Sequence, residues 1–465
     1  MYGKPNVKLL GYSRGLDSDL GPEDISAFSA MGCFSKYSSF EIIRNEEVKR
    51  EILWENKYIK DKYKSKDEIK VDVEIEEYKK IVLKESAGRG HGSVLDQNYF
   101  TYSIENLPRA ATLFICGPEN LAHEQQSLRR ATADRGFYLP PEIEESVLFQ
   151  KTKKVLSDSF SFYEKAVEAE VPKEDARYPL PLYTKTNIVT SSNARELMHT
   201  RKMAQQESVP SIVKYTVDEM LREAEKIAPN LFLDTGYNYE TLAWRPSSQI
   251  FGAGNITIND IARKLDYPNH VVLLSYSGIE MNEKQIRKAV EERDENELSN
   301  LKHVHFDFLV PMSLACFHQA TRQRTWSHSV EPVYDAAKRK QIVTPPKIKN
   351  SAVFDDYKKQ NEAMFELYDE LSENGILRRE AAGILPHSMQ IYDLIHVDGW
   401  NAVHSIGKRT CSTAQWEIRD YSKQMTSYIK EKNPSLGKFA EPQCMTYNKC
   451  PERNPCGYFE SHKIS

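Results

Sequence analysis

The sequence predicts an α+β protein built twice, as two tandem copies of one unit of strands and helices. Three observations carry this. Residue pairs recur at one offset: Leu180-Pro181 as Leu385-Pro386, Pro140-Pro141 as Pro345-Pro346, Tyr163 as Tyr368, Met220 as Met425 and Pro229 as Pro434, each 205 residues apart. Phe100–Ile104 and Phe306–Val310 alternate apolar and polar positions, which predicts a strand in each copy. After each Pro-Pro, apolar residues fall at helical spacing. Two copies at so long a period are tandem domains rather than the short units of a solenoid.

Taken in order, Leu9-Leu10-Gly11-Tyr12-Ser13 is echoed by Leu273-Leu274-Ser275-Tyr276-Ser277 at an offset of 264, so the first copy carries about 59 additional residues. Residues 7–13 and 271–277 are expected to be short buried strands. The extra length falls mostly at 46–84, dense in Lys, Glu and Tyr, which reads as a surface insertion shaped as a helical hairpin. Val147, Leu148, Val155, Phe162, Tyr163 and Val167 predict one helix, and Met364, Phe365, Tyr368 and Leu371 its counterpart. A later helix is expected over 211–227 and again over 416–430. The boundary between copies is placed in Leu233–Asn269, where Pro246-Ser-Ser248 and Gly252-Ala-Gly254 supply loop residues.

At 465 residues there is room for two cores of about 200 residues each. A hydrophobic share of 40%, a charged share of 28% and a net charge of −4 are those of a globular protein without a broad basic face for nucleic acid. No stretch approaches the roughly 20 apolar residues of a membrane span, and residues 1–10 do not read as a signal peptide. Seven cysteines, an odd number, favour reduced thiols in the cytoplasm. Cys33, Cys116, Cys316 and Cys411 are expected to be packing residues, Trp326 a core aromatic, and His303 and His305 structural. Cys444, Cys450 and Cys456 with His462 lack the usual Cys-x2-Cys spacing, so ordinary thiols are expected there rather than a metal site.

No Gly-x-Ser-x-Gly, phosphate loop or His-Glu-x-x-His motif occurs. Arg, Gln and Ser cluster instead. The first copy has His91-Gly-Ser93-Val-Leu-Asp96, Glu124-Gln125-Gln126-Ser127-Leu-Arg129-Arg130, Glu174-Asp175-Ala-Arg177 and Asn193-Ala-Arg195. The second has His318-Gln319-Ala-Thr-Arg322-Gln323-Arg324-Thr-Trp326-Ser327 and Arg409-Thr-Cys-Ser-Thr-Ala414-Gln415-Trp416-Glu417. Guanidiniums present planar forks of donors that stay charged, which suits phosphate; a neighbouring Ser hydroxyl adds a donor. Surface salt-bridging is the plainer reading of any single pair.

These clusters, in this order and at one offset, resemble the flavin-dependent thymidylate synthases. That family's signature is Arg-His-Arg-x-x-Ser, four residues, then Ser-x-Arg. Copy two has Arg322-Gln323-Arg324-Thr-Trp326-Ser327, with Gln for His, but Pro332 and Tyr334 where Ser-x-Arg would fall. Copy one lacks the first part, having Gly117-Pro118-Glu119 there, yet keeps Ser127-Leu-Arg129. Likewise Arg177 faces Ala382 across the duplication, and Arg409 faces Ala204. Each copy has lost what the other keeps, as a pocket shared between them would require.

The resemblance implies two tandem copies of the flavin-dependent thymidylate synthase fold, a mixed sheet with flanking helices. The first thymidylate-synthase-like domain spans 1–235, with the charged insertion at 46–84; a linker covers 236–269, the second domain 270–440, and a Cys-containing tail 441–465. It implies methylation of dUMP to dTMP with FAD, using methylenetetrahydrofolate and NADPH as co-substrates, at composite sites built from both copies. Gln319, Arg322, Gln125, Gln126, Ser127, Arg129, Arg177 and Arg409 would bind dUMP, with Arg409 and Arg322 catalytic. His91, Ser93, Asp96, Asn193, Arg195, Arg322, Gln323 and Arg324 would hold FAD; Asp96 is a shortened form of the family's acid. A homodimer acting as a pseudotetramer is implied, with no polymeric nucleic acid and no membrane. The alternatives are an inactive nucleotide- or flavin-binding scaffold and a pyrimidine nucleotide hydroxymethylase.

Overall fold

The protein is described by a computed structural model covering residues 3–16, 20–232, 247 and 249–462. Part of the expected linker, including Pro246 and Ser248, lies outside these residues. Copy one forms a four-stranded sheet from β1 (Asn6–Tyr12), β2 (Tyr99–Pro108), β3 (Ala122–Gln125) and β4 (Lys185–Asn193), in the order β1-β2-β4-β3. Copy two repeats it as β5 (Val272–Gly278), β6 (Val304–Ser313), β7 (Ser327–Val330) and β8 (Gln390–Asp398), in the order β5-β6-β8-β7. The α+β, two-copy architecture is as expected, and within it every pairing of these strands is antiparallel, narrower than the mixed sheet foreseen.

Helices α1 (Arg109–Ile115), α2 (Phe149–Glu168), α3 (Ala194–Ala204) and α4 (Ser211–Glu225) have mates α5 (Leu314–Ala320), α6 (Phe354–Glu373), α7 (Gly399–Thr410) and α8 (Trp416–Lys432). From β2 onward each element begins 205 residues before its mate. Local chemistry explains the repeats. Pro141 and Pro346 open the short helices Pro141–Glu144 and Pro346–Lys349, where a missing N–H costs nothing. Asn193 and Asp398 cap α3 and α7, each accepting a backbone N–H at 2.7 Å.

The copies meet about a pseudo-two-fold axis. Pro181 bridges its own duplicate, Pro386. Leu182 N–H donates to the Leu385 carbonyl at 2.9 Å, and its mate His387 N–H to the Leu180 carbonyl at 3.0 Å. Tyr183 N–H donates to Gly383 at 2.8 Å and Ser388 N–H to Tyr178 at 2.7 Å. Residue i bonding to j, with the mate of j answering the mate of i, is the pattern of an isologous dimer interface, here within one chain. Helices α2 and α6 run antiparallel across it, Phe162 against Tyr357 at 6.0 Å between rings and Gln360 Nε2 donating to the Val155 carbonyl at 3.0 Å.

Three expectations change. β1 and β5 lie at sheet edges rather than buried: Leu10 is 60% exposed, because an end strand has a neighbour on one side only and turns one face outward. Both carry a bulge at the same place, Leu9/Gly11 and Leu273/Ser275, so the sequence echo there is structural. The 46–84 segment folds as three helices, Glu46–Glu55, Lys57–Lys62 and Val71–Ser86, instead of a hairpin. They bury Ile52, Leu53, Ile59, Ile75 and Leu83, and the last packs against the helix Pro22–Phe34. Val147 precedes α2 and is exposed, outside the helical face it was assigned to. Among the described residues no helix is long and apolar enough to cross a membrane.

Candidate functional site

The interface collects positive charge from both copies. Arg109 begins α1, Arg129 follows β3, and Arg177 ends the turn after the short helix Lys173–Ala176. From copy two come Arg322, just past α5, and Arg409, near the end of α7. Arg109 and Arg177 are 3% and 2% exposed. Burial, then the charges of Arg177 and Arg322, pushes Arg109 down to about 9. Burial, with Arg322 and Arg129 adding to it, lowers Arg409 to about 10. Burial likewise lowers Arg177, with Arg129 contributing. The carboxylate of Glu174 pairs with Arg129 at 2.7 Å. Guanidiniums repelling one another in a partly desolvated site are arranged for an anion from outside the protein.

Arg129 crosses to the other copy, its Nη2 donating to the Thr413 carbonyl at 3.3 Å. Together Arg129 and Arg409 line a cavity of about 1270 Å³, with Thr413, Arg419 and the Cys-containing tail forming other walls. Arg409 Nη2 lies 3.5 Å from the Gln319 carbonyl. With its amide oxygen turned toward Arg409, Gln323 accepts from Nε at 2.8 Å and Nη2 at 2.5 Å. Several buried polar atoms have no hydrogen-bond partner: Arg109 Nε, Arg177 Nη2, Gln319 Oε1, and Nε2 of His318 and His387. The two imidazoles stack at 5.9 Å, and burial with the nearby Arg109 charge holds both far below the usual histidine range, so they are neutral at pH 7. Unsatisfied buried groups gathered in one place call for a polar ligand.

The remaining residues expected around dUMP surround this region less directly. Ser127 heads a tight turn, accepting the Arg129 N–H on its hydroxyl at 3.3 Å. Gln125 Nε2 donates to Thr112 of α1 at 3.0 Å, and Gln126 Oε1 accepts from Arg135 at 3.3 Å, so both amides are engaged within copy one.

The residues expected around FAD fall in two groups. Asp96 accepts from Asn193 Nδ2 at 3.3 Å and Arg195 Nη1 at 3.2 Å, at the start of α3. His91 and Ser93 stand exposed on the turn leading to Asp96, and Arg195 occupies the space over Gly92 that a Cβ would need. The second group is the loop after α5, where Arg322 and Arg324 are exposed and Gln323 faces Arg409. This loop leans on copy one: burial and then the Arg324 charge push His123 down to about 3, and the buried thiol of Cys116 sits near Arg322 and Arg324. Strand β4 connects the groups, since Thr190, bonded to His123 at 2.9 Å, lies three residues, roughly 10 Å, from Asn193.

Sequence reasoning passed over Arg109, which carries no motif. The signal was available at the 205 offset, where copy two has Leu314. Trp326 is a core residue, 1% exposed. Cys316 is buried, but Cys33 is exposed and Cys411 borders the cavity, so neither is the packing residue expected; both belong to termini of helices rather than to core-facing turns. Among the described residues, no three His, Cys, Asp or Glu side chains are arranged to hold a metal ion.

The family model "Thymidylate synthase complementing protein" matches residues 17–230 and again 258–435. Flavin-dependent thymidylate synthases are among the curated relatives. That of Pyrococcus furiosus is 36% identical over 24% of this chain and 48% of its own length. That of Geobacter sulfurreducens is 34% identical over 32% and 65%, and that of Sulfolobus acidocaldarius 31% identical over 34% and 61%. The chain thus spans between about half and two-thirds of the length of these relatives. A solved UMP/dUMP methylase from Streptomyces cacaoi aligns over 50% of this chain and 96% of its own, with 13% identity and a TM-score of 0.36. With both copies matched along most of their length, the chain belongs to the thymidylate synthase complementing protein family.

Proposed function

We propose that this protein is a flavin-dependent methyltransferase converting dUMP to dTMP, with methylenetetrahydrofolate and NADPH as co-substrates, at a site assembled from both copies of one chain. The observation that carries the reading is that Arg129 of copy one and Arg409 of copy two face a single cavity large enough for a nucleotide. Ser127, Arg129 and Arg177 hold the monophosphate, and Gln125 and Gln126 flank it. Arg322 and Gln319 close the site from copy two. Arg409 donates to the uracil ring, drawing electron density from it; its partial desolvation strengthens such a bond. With no serine or cysteine motif for nucleophilic attack, the chain's part is positioning and electrostatics.

The residues present fit a flavin. Arg322 and Arg324 are exposed guanidiniums on the loop after α5, and His91 and Ser93 are open to a ligand beside the Asp96–Asn193–Arg195 cluster. Bound there, FAD supplies the reducing equivalents for transfer of the one-carbon unit. Asp96 fixes Arg195, and Asn193 ties that cluster to α3 through its cap. Two chains would form a cytoplasmic pseudotetramer, for which the exposed Leu10, Tyr12, Leu274 and Tyr276 of the edge strands offer apolar surface. Purified protein should retain a yellow flavin and form dTMP from dUMP only with the folate present. Protein that folds yet takes up no flavin, or turns over normally as Arg409→Ala, contradicts the reading.

A further inference from the structure

We propose that Arg109 is an additional phosphate-binding residue, peculiar to copy one, at the inner end of the arginine cluster. Its side chain is 97% withdrawn from solvent by the 3% exposure that remains, and its Nε has no hydrogen-bond partner. The charged groups acting on it are Arg177 and Arg322, both of its own sign, and the buried Cys116 thiol; the facing His318 and His387 are neutral. A buried guanidinium left without an anion is destabilising. Folding does not require one here: the mate of Arg109 is Leu314, wholly buried at the same turn. Both backbones are held alike, Arg109 N–H on the Thr184 carbonyl at 2.9 Å and Leu314 N–H on Met389 at 3.0 Å. The charge is therefore kept for a ligand.

Three guanidiniums of copy one act on one another in series. Arg129 lines the cavity, its charge acts on Arg177, and Arg177 acts on Arg109. Arg177 Nη2 and Arg109 Nε are the unpartnered donors among them. A carboxylate would neutralise one of these two buried cations, whereas a dianionic phosphate monoester neutralises both and has three oxygens to accept from them. This deepens the nucleotide reading above and rests on it only for the molecule that carries the phosphate.

The test compares the parent chain with Arg109→Leu, which copies Leu314, and Arg109→Lys. Binding is measured for inorganic phosphate, dUMP and deoxyuridine, with thermal stability of each protein alone. The expected result is a loss of about 10- to 100-fold in dUMP and phosphate affinity for Arg109→Leu, with deoxyuridine unchanged and partial rescue in Arg109→Lys. Arg109→Leu should also melt higher than the parent without ligand, a signature that a merely structural arginine does not give. Should the parent bind phosphate but not dUMP, the nucleotide reading fails while a phosphate loss in Arg109→Leu still upholds this one. A parent that binds neither, equal phosphate affinity in parent and Arg109→Leu, or parallel loss of dUMP and deoxyuridine overturns it.

Discussion

Arg129 and Tyr334 occupy the same place in the two copies, 205 residues apart, and each reaches across to the equivalent carbonyl of the other copy. Arg129 Nη2 donates to Thr413 at 3.3 Å, and the Tyr334 hydroxyl to Ser208, the mate of Thr413, at 2.5 Å. Around Arg129 lie Arg177, Arg322 and Arg409; their mates around Tyr334 are Ala382, Gly117 and Ala204. Beside the first, the Asp175 carboxylate faces the Trp416 indole N–H, with the Glu174 charge close by. Beside the second, the mates close on each other: Glu380 accepts from Ser211 N–H at 3.1 Å, Ser211 Oγ at 2.8 Å and Arg379 Nε at 3.1 Å. One backbone frame thus carries an open, cationic site and a self-satisfied, plugged one. The fold therefore tolerates the loss of this charge, since the second site has none of the three arginines.

The largest effect should come from turning the open site into its twin. Arg409→Ala, copying Ala204, or Arg129→Tyr, copying Tyr334, should weaken dUMP binding roughly 100-fold or more, since charge-assisted bonds contribute about 1.5–3 kcal/mol each. Calorimetric titration checks this. Next is the axis itself. Tyr183 of copy one fills the space over Gly383, where a Cβ would stand 2.1 Å from its ring, while the mates Tyr178 and Ser388 coexist. Gly383→Ala should cost about 2–3 kcal/mol in a denaturant titration. At the plugged site, Tyr334→Phe should cost about 1 kcal/mol of stability and leave dUMP affinity unchanged; altered affinity would mean the second site is not closed.

The smallest effect is a pH slope. Burial, with Glu174 beside it, raises Asp175 to about 6 from an ordinary aspartate value, while its mate Glu380 is satisfied. The folded state then holds this proton more tightly than the unfolded chain. Asp175 therefore favours folding below about pH 4, and that contribution is lost as pH rises through 6. Stability against unfolding, followed from about pH 4 to 7, should decline less in Asp175→Asn than in the parent.

Much of this was legible in the sequence because duplication leaves paired marks. The Pro-Pro and Leu-Pro repeats are helix starts and the axis crossing, positions where backbone geometry restricts the residue. The complementary motif losses pointed to residues of both copies, and of these Arg129 and Arg409 line one cavity. What could not be read was context. Leu9-Leu10 is as apolar as a buried strand, and only sheet order reveals an edge. The Lys- and Glu-rich 46–84 segment hides its buried Ile and Leu face among solvated charges. Arg109 belongs to no motif and stands out only when Leu314 is set beside it.

The most direct test is a mixing experiment between two single variants, Arg129→Ala and Arg409→Ala, each expected to bind dUMP roughly 100-fold more weakly and to lose turnover. A site composed within one chain is broken in every molecule, so co-expressed or mixed variants should stay at the level of either alone. Recovery to roughly a quarter of parental activity, as heterodimers with one intact site between chains would give, would contradict the account.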